Sequence, residues 1–228
     1  MFKHEKQLLY DVKVDGPNPN YAVMMQEQLG GAHGELKAAM QYMSQSFRIK
    51  DQQIKDLFLD VASEELSHME MVATCVNLLN GHTIDAQNAT IGNIEAHVMS
   101  GLTPVLSNAS GFMWTGAYIE ETGDLAADIL SDIAAEQRAK VVYQYLYRQI
   151  QDKGVRDTID FLLNREEAHN TMFREAFNRV LDTGSLKDWA VTNDSRLYFD
   201  LSSPGAQYFQ VGNNAKPPSF ANPNPPQS

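Results

Sequence analysis

Ser63-Glu64-Glu65-Leu66-Ser67-His68-Met69-Glu70 is the stretch on which the reading of this chain turns. It carries Glu65-x-x-His68 in a segment of helical period. Residues three apart on a helix share a face, so one carboxylate and one imidazole can reach the same point. The pattern returns once, at Glu166-Glu167-Ala168-His169. Each copy follows a lone acid, Glu35 or Glu136, 30 residues upstream. A shift of 101 carries Glu35, Glu65 and His68 onto Glu136, Glu166 and His169, and Tyr42 onto Tyr143. The other four histidines, His4, His33, His82 and His97, have no Glu at that spacing. One such pair is weak; two, each with its own upstream acid at one offset, are specific.

The helices around these pairs are predicted from apolar period. Helix 1 is expected from about 21 to 47, capped by Asn20, with Glu35 and Tyr42 on one stripe. Gly30, Gly31 and Gly34 lie inside it and predict either close approach of another backbone or a local break. Helix 2 is expected over 52 to 79, capped by Asp51 and ended by Gly81. Its seam runs Ile54, Leu57, Phe58, Val61, Glu65, His68, Val72, Cys75, Val76, Leu79. Helix 3 is expected over 124 to 151 and helix 4 over 155 to 181, with a tight turn at Asp152-Lys153-Gly154. In helices 2 and 4 the Glu–His pair interrupts a buried seam, where charge is costly unless paired or bound to metal.

The links at 48–51 and 152–154 are short and force antiparallel hairpins. Residues 80 to about 113, rich in Gly, make a long crossover, followed by a short helical turn within 114–121. Residues 1 to 20 form an extended arm that can dock through Leu8, Leu9 and Tyr10; 183 to 228 form an irregular tail rich in Pro, Asn, Gly and Ser. Two hairpins joined by one crossover make an all-α, ferritin-like four-helix bundle over 21–182. That fold holds a dinuclear site with a Glu from each of two helices and a Glu-x-x-His from each of the other two.

Composition excludes other classes. The net charge of -11 and pI near 4.9 argue against nucleic acid and anionic membrane. Cys75 is the only cysteine, so no internal disulfide forms. The N-terminus lacks the apolar core of a signal peptide, no apolar run approaches the length of a spanning helix, and the expected location is the cytoplasm. Four carboxylates and two imidazoles at one buried point call for two cations; carboxylate with some imidazole suits Mn or Fe, and the spacing does not separate them. Glu64, Glu70 and Glu167 sit off the seam and are expected at the surface. His33 is expected to pack or face solvent, and Lys140 to face solvent. Tyr42 and Tyr143 either support the site residues by hydrogen bonds or fill the core.

With these residues in place, the chain resembles the manganese catalases and their shorter spore-coat relatives. The matching stretches are Gly30-Gly31-Ala32-His33-Gly34-Glu35, Glu64 through Met71, Asn108-Ala109-Ser110-Gly111 with Trp114, Gly123 through Asp128, Gly154 through Asp157, and Arg165-Glu166-Glu167-Ala168-His169. The resemblance implies two manganese ions per chain, bridged by oxo, hydroxo or water, with Glu35, Glu65, His68, Glu136 and His169 as metal ligands and Glu65 bridging. It implies that Glu166 does not ligate but serves as the acid/base. It further implies dismutation of hydrogen peroxide to water and dioxygen, with the metal pair alternating between II,II and III,III, protection from peroxide stress, and a homo-hexamer. One departure is Ala135, where some members carry an Arg that pairs with the residue equivalent to Glu166. The competing readings are a ferritin-like di-iron oxidase or peroxidase, which would bind metal through Glu166, and a structural coat-type protein with a retained metal site.

Overall fold

The computed structural model describes residues 3–81 and 105–182. His82, His97, most of the expected crossover and the expected tail from 183 onward lie outside the described residues. Among the described residues five α-helices follow in order: α1 (Pro19–Gly30), α2 (Glu35–Ser46), α3 (Gln52–Leu79), α4 (Leu125–Gln149) and α5 (Lys153–Asp182). A single 3-10 turn, Gly116–Tyr118, marks the short helical segment expected before α4. Among the described residues the sole β contact is an isolated bridge between Ser107 and Met113. Met1–Phe177 packs as one unit and Asn178–Ser228 as another; every candidate ligand falls in the first.

The expected helix 1 is two helices. Gly31 and Gly34 take extended backbone at the end of α1 and the start of α2. The break makes Glu35 the first residue of α2, not a mid-helix residue. The cap of α1 is also corrected: Asn18, not Asn20, accepts from the Tyr21 N–H, with Pro19 in the first turn where a missing N–H is harmless.

Close approach of a second backbone, the other expectation for these glycines, holds at Gly30. A Cβ there would stand 2.3 Å from the Ser107 backbone nitrogen. The end of the crossover rests on α1 at this point, and the Gln26 side-chain amide donates to the carbonyls of Val105 and, at 2.9 Å, Ser107. Gly30→Ala should therefore destabilise the fold by about 1–3 kcal/mol, the usual cost of forcing atoms into a packed site. Thermal melting by circular dichroism measures it, and an unchanged melting temperature would show that the 105–109 backbone yields freely.

The remaining boundaries follow their local chemistry. Asp51 accepts from the Gln53 and Ile54 N–H groups, and Asp124 caps α4 in the same way, each worth about 1 kcal/mol. Gly81 ends α3 with φ +79, a conformation that suits glycine. Helix α5 starts at Lys153, so the expected turn at 152–154 is already helical. Asp152 takes its cap role, accepting from the Val155 N–H at 2.9 Å. The N-terminal arm docks here: Asp15 and Asp152 exchange bonds, Asp15 N–H to Asp152 and Lys153 N–H to Asp15, both 2.8 Å. Leu8 and Tyr10 pack on the core while Leu9 stays 51% exposed. The core cluster joins α1, α3, α4 and α5 through Met25, Leu29, Val72, Cys75, Leu146, Val155 and Ile159. Among the described residues no helix is long and apolar enough to cross a membrane.

Candidate metal centre

The six seam residues meet inside the bundle, delivered by four helices: Glu35 from α2, Glu65 and His68 from α3, Glu136 from α4, Glu166 and His169 from α5. All six are buried. Glu65 is central. One of its oxygens lies 3.0 Å from His68 Nδ1 and the other 2.7 Å from His169 Nδ1. His68 Nδ1 also lies 3.8 Å from Glu35 and 3.7 Å from Glu166; His169 Nδ1 lies 3.7 Å from Glu136. Glu65 thus lies between the two imidazoles, with Glu35 and Glu166 beside His68 and Glu136 beside His169. Glu65, His68, Glu166 and His169 each bring one ligand atom to within 4.8 Å of the others. The imidazole rings stand nearly parallel, centroids 5.5 Å apart.

The two tyrosines cross between the repeats. Tyr42 of α2 donates to Glu136, and Tyr143 of α4 donates to Glu35. Each therefore supports the acid of the other repeat, and the hydrogen-bonding alternative holds over simple core filling. Burial pushes both phenols well above their ordinary values, with Glu136 next for Tyr42 and Glu35 for Tyr143, so both remain donors. Tyr42 also packs on Phe173 at 4.8 Å, and Phe58 meets Phe173 edge-on at 5.2 Å, which fixes the ring behind Glu136.

One expectation about the periphery fails. Glu64 is not a surface acid: its side chain is 25% exposed and approaches the outer nitrogens of both histidines, His68 Nε2 at 3.4 Å and His169 Nε2 at 3.3 Å. Arg165 grips the same carboxylate with Nε at 2.6 Å and Nη2 at 3.2 Å. Burial opposes the charge on Glu64, but the nearby His169 and His68 imidazoles and the Arg165 guanidinium hold it far below the usual carboxylate range. Sequence reasoning missed it because helical angle alone puts it beside the seam; its position four residues before His68 was the available signal. Of the other peripheral residues, Glu167 and His33 match expectation. Glu167 is exposed and pairs with Lys140, and the half-buried Glu70 pairs with His4, each at about 3 Å; His33 faces solvent, whereas Lys140 is itself half-buried and reaches outward to Glu167. Ala135 is buried and offers no guanidinium to Glu166, while the neighbouring Arg165 turns to Glu64.

Several polar atoms here lack a hydrogen-bond partner among the described residues although fully buried: Glu65 Oε1, Glu136 Oε2, Glu166 Oε1, His68 Nε2 and both nitrogens of His169. Unpaired polar atoms in a dry core are costly. Apart from the 3.0 Å hydrogen bond between His68 Nδ1 and Glu65, these carboxylate and imidazole atoms converge without bonding one another, a donor set suited to hard or borderline divalent cations. Thiolate takes no part. Cys75 is buried among apolar side chains, and burial pushes its thiol up to about 12.

Without metal, protons balance the charge. Burial, then the charge of Glu65, pushes Glu35 up to about 8. Burial drives Glu166 and Asp132 well above their ordinary values. Burial opposes charge on the imidazoles, but Glu65 outweighs it, raising His68 well above normal and His169 to about 12. Burial works against the Glu65 carboxylate too, yet the two imidazolium groups hold it below the usual range. These shifts fix a pH dependence. Between about 4.5 and 8 the unfolded chain has lost the Glu35 proton and the folded chain keeps it, so stability of the metal-free protein falls as pH rises. Each such group contributes a slope of about 1.4 kcal/mol per pH unit. The raised histidines add the same sign above their unfolded values. Denaturant titration of metal-free protein at pH 5, 6, 7 and 8 reads this out; stability rising across that range would contradict the protonation scheme.

A helical bundle with two Glu-x-x-His pairs and two further acids on facing helices has the ferritin-like fold, with a buried Glu/His group fit to bind metal. Within that class, the family described as manganese-containing catalase matches residues 1–186, and the chain belongs to it. It is 66% identical to a probable manganese catalase of Clostridium acetobutylicum, over 98% of this chain and 99% of that one. It is 36% identical to a manganese catalase of Bacillus subtilis over 79% of this chain and 71% of that one. The crystal structure of KatB, a manganese catalase from Anabaena, superposes with a TM-score of 0.75 at 34% identity, covering 84% of this chain and 85% of that one.

Proposed function

We propose that this chain dismutates hydrogen peroxide at a site for two manganese ions. Glu35 and His68 would hold one ion and Glu136 and His169 the other, with Glu65 able to serve both. The observation that carries this is the carboxylate of Glu65, which offers one oxygen to each histidine's half-site at 3.0 and 2.7 Å. Manganese, when bound, supplies the two-electron redox change that conversion of two peroxides into two waters and dioxygen requires.

The chain's own residues do the rest. Tyr42 and Tyr143 orient Glu136 and Glu35 by hydrogen bonds to one oxygen of each, leaving the other free. Glu166 accepts a proton from peroxide and returns it. It suits this role because it is buried at the edge of the site, with Oε1 unpaired and 3.7 Å from His68 Nδ1. Burial, then the charges of Glu65, Glu35 and Glu136, raises it well above the ordinary carboxylate range, and a positioned carboxyl within hydrogen-bond reach can take and return a proton. The dry surroundings hold solvent and reductants away from the reacting oxygen atoms.

A second reading rests on the 4.8 Å group that includes Glu166. It makes Glu166 a sixth ligand, as in a di-iron oxidase or peroxidase. Family membership favours the first. The same proposal covers a cytoplasmic location, a homo-hexamer, and a bundle domain bounded near residues 21 and 182. The test is oxygen evolution from peroxide by purified protein with no added reductant, with metal analysis of the same sample. Two manganese per chain and rapid oxygen release are expected; iron, or metal without oxygen, points to the oxidase or to a structural bundle.

A further inference from the structure

We propose that Glu64, clamped by Arg165, is a positioning residue for both His68 and His169, a single outer carboxylate that sets the two imidazoles as a pair. The proposal rests on the two-manganese reading above and extends it to residues which that reading leaves unused.

The geometry carries it. The two oxygens of Glu64 divide between the two rings, Oε1 at 3.4 Å from His68 Nε2 and Oε2 at 3.3 Å from His169 Nε2. Both rings are fully buried, and neither Nε2 makes a closed hydrogen bond among the described residues. A buried ring N–H with no acceptor costs about 1–3 kcal/mol. Glu64 is the acceptor within reach of both. A carboxylate facing each Nε2 favours the tautomer with the proton there, which leaves each Nδ1 lone pair directed at the inner acids. On the inner side each Nδ1 already faces Glu65.

The internal repeat explains why one carboxylate can serve two rings. The shift of 101 that relates the Glu–His pairs carries Glu64 onto Arg165. Both stand four residues before their own histidine, on facing helices. If both were acids, two buried carboxylates would repel; if both were arginines, neither ring would find an acceptor. The repeats instead place opposite charges at equivalent positions. Arg165 binds Glu64 through two nitrogens, a planar grip that fixes the carboxylate plane between the rings. The near-parallel rings, 22° apart, are consistent with one shared support.

The consequence is a coupling of the two metal positions. A carboxylate that supported one histidine would affect one ion; a shared one affects both. In Glu64→Ala, manganese affinity measured by chelator competition should fall about 10- to 100-fold, the range found for outer partners of ligating histidines. Both ions should weaken together, so that titration followed by electron paramagnetic resonance builds up no one-ion form. Glu64→Gln, which keeps an acceptor oxygen, should lose less. The swapped pair, Glu64→Arg with Arg165→Glu, returns the carboxylate to the equivalent position before His169 and should recover most of the affinity; a purely structural ion pair would not restore metal binding through this exchange of helices. Wild-type affinity in Glu64→Ala and Glu64→Gln, weakening of one ion alone, or a swapped pair no better than Glu64→Ala would overturn the proposal. A wild-type protein that binds no manganese would overturn the metal-site reading and this inference with it, whereas equal binding by wild type and Glu64 variants overturns this inference alone.

Discussion

Glu65→Ala should yield a folded protein that retains no stoichiometric manganese and releases no oxygen from peroxide. Glu65 is the one side chain with an oxygen in each half-site, so its loss removes a ligand atom from both ions at once. Each position is then left with one carboxylate and one imidazole, and affinity should drop by far more than the 10- to 100-fold expected for a supporting residue. In the metal-free protein the same change strips the counter-charge from two raised imidazoles. Removing one partner of a buried charge cluster costs about 3–5 kcal/mol, so the variant should also melt earlier and its histidines should titrate lower. Metal analysis after dialysis, an oxygen electrode and a melting curve on one preparation test all three effects. Two manganese retained per chain would remove Glu65 from the bridging position.

Glu166→Gln separates turnover from binding. The amide keeps the shape and one acceptor oxygen but carries no transferable proton. If Glu166 is the acid/base, oxygen release should fall about 10²- to 10⁴-fold, the usual contribution of a positioned proton carrier, while both ions stay bound. If Glu166 is instead a sixth ligand, manganese content should fall in parallel with rate. The substitution also removes one of the groups whose proton the folded chain retains. The stability of the metal-free variant should accordingly fall less steeply with pH, by about 1.4 kcal/mol per unit over the interval in which Glu166 would titrate. The pH profile and the metal content are independent readouts of one carboxyl group.

Ala135 bears on the same residue. The resemblance leads one to expect, in some members, an arginine at position 135, just before Glu136 on α4, paired with the acid equivalent to Glu166. This chain has a buried methyl group there, and Arg165, next to Glu166, is committed to Glu64. Nothing cationic but the histidines offsets Glu166 among the largest influences on it, which are burial and the charges of Glu65, Glu35 and Glu136. A carboxyl so placed holds its proton tightly in the metal-free state.

The sequence alone determined the fold class and the six convergent residues. Both follow from period: spacing of three puts Glu and His on one helical face, apolar stripes put that face inward, and short links force the hairpins. Caps with an unambiguous signal, Asp51 and the glycine at 81, were equally legible. The tertiary structure decided what depends on a second segment. Gly30 is glycine because the backbone at Leu106 and Ser107 crosses it, and the turn between α1 and α2 folds so close to the carbonyls of Glu27 and Gln28 that a Cβ at Gly31 or Gly34 would clash. Tyr42 and Tyr143 share a stripe with Glu35 and Glu136 in sequence, yet each bonds to the acid of the other repeat, since the bundle interior brings opposite helices closer than seven residues along one. Glu64 looked like a solvated residue because its angle on α3 falls beside the seam. That angle faces α5, where Glu64 meets Arg165 and the outer edge of His169, beside that of its own helix's His68. Local period fixes which face a residue occupies; only the packing of helices fixes what that face meets.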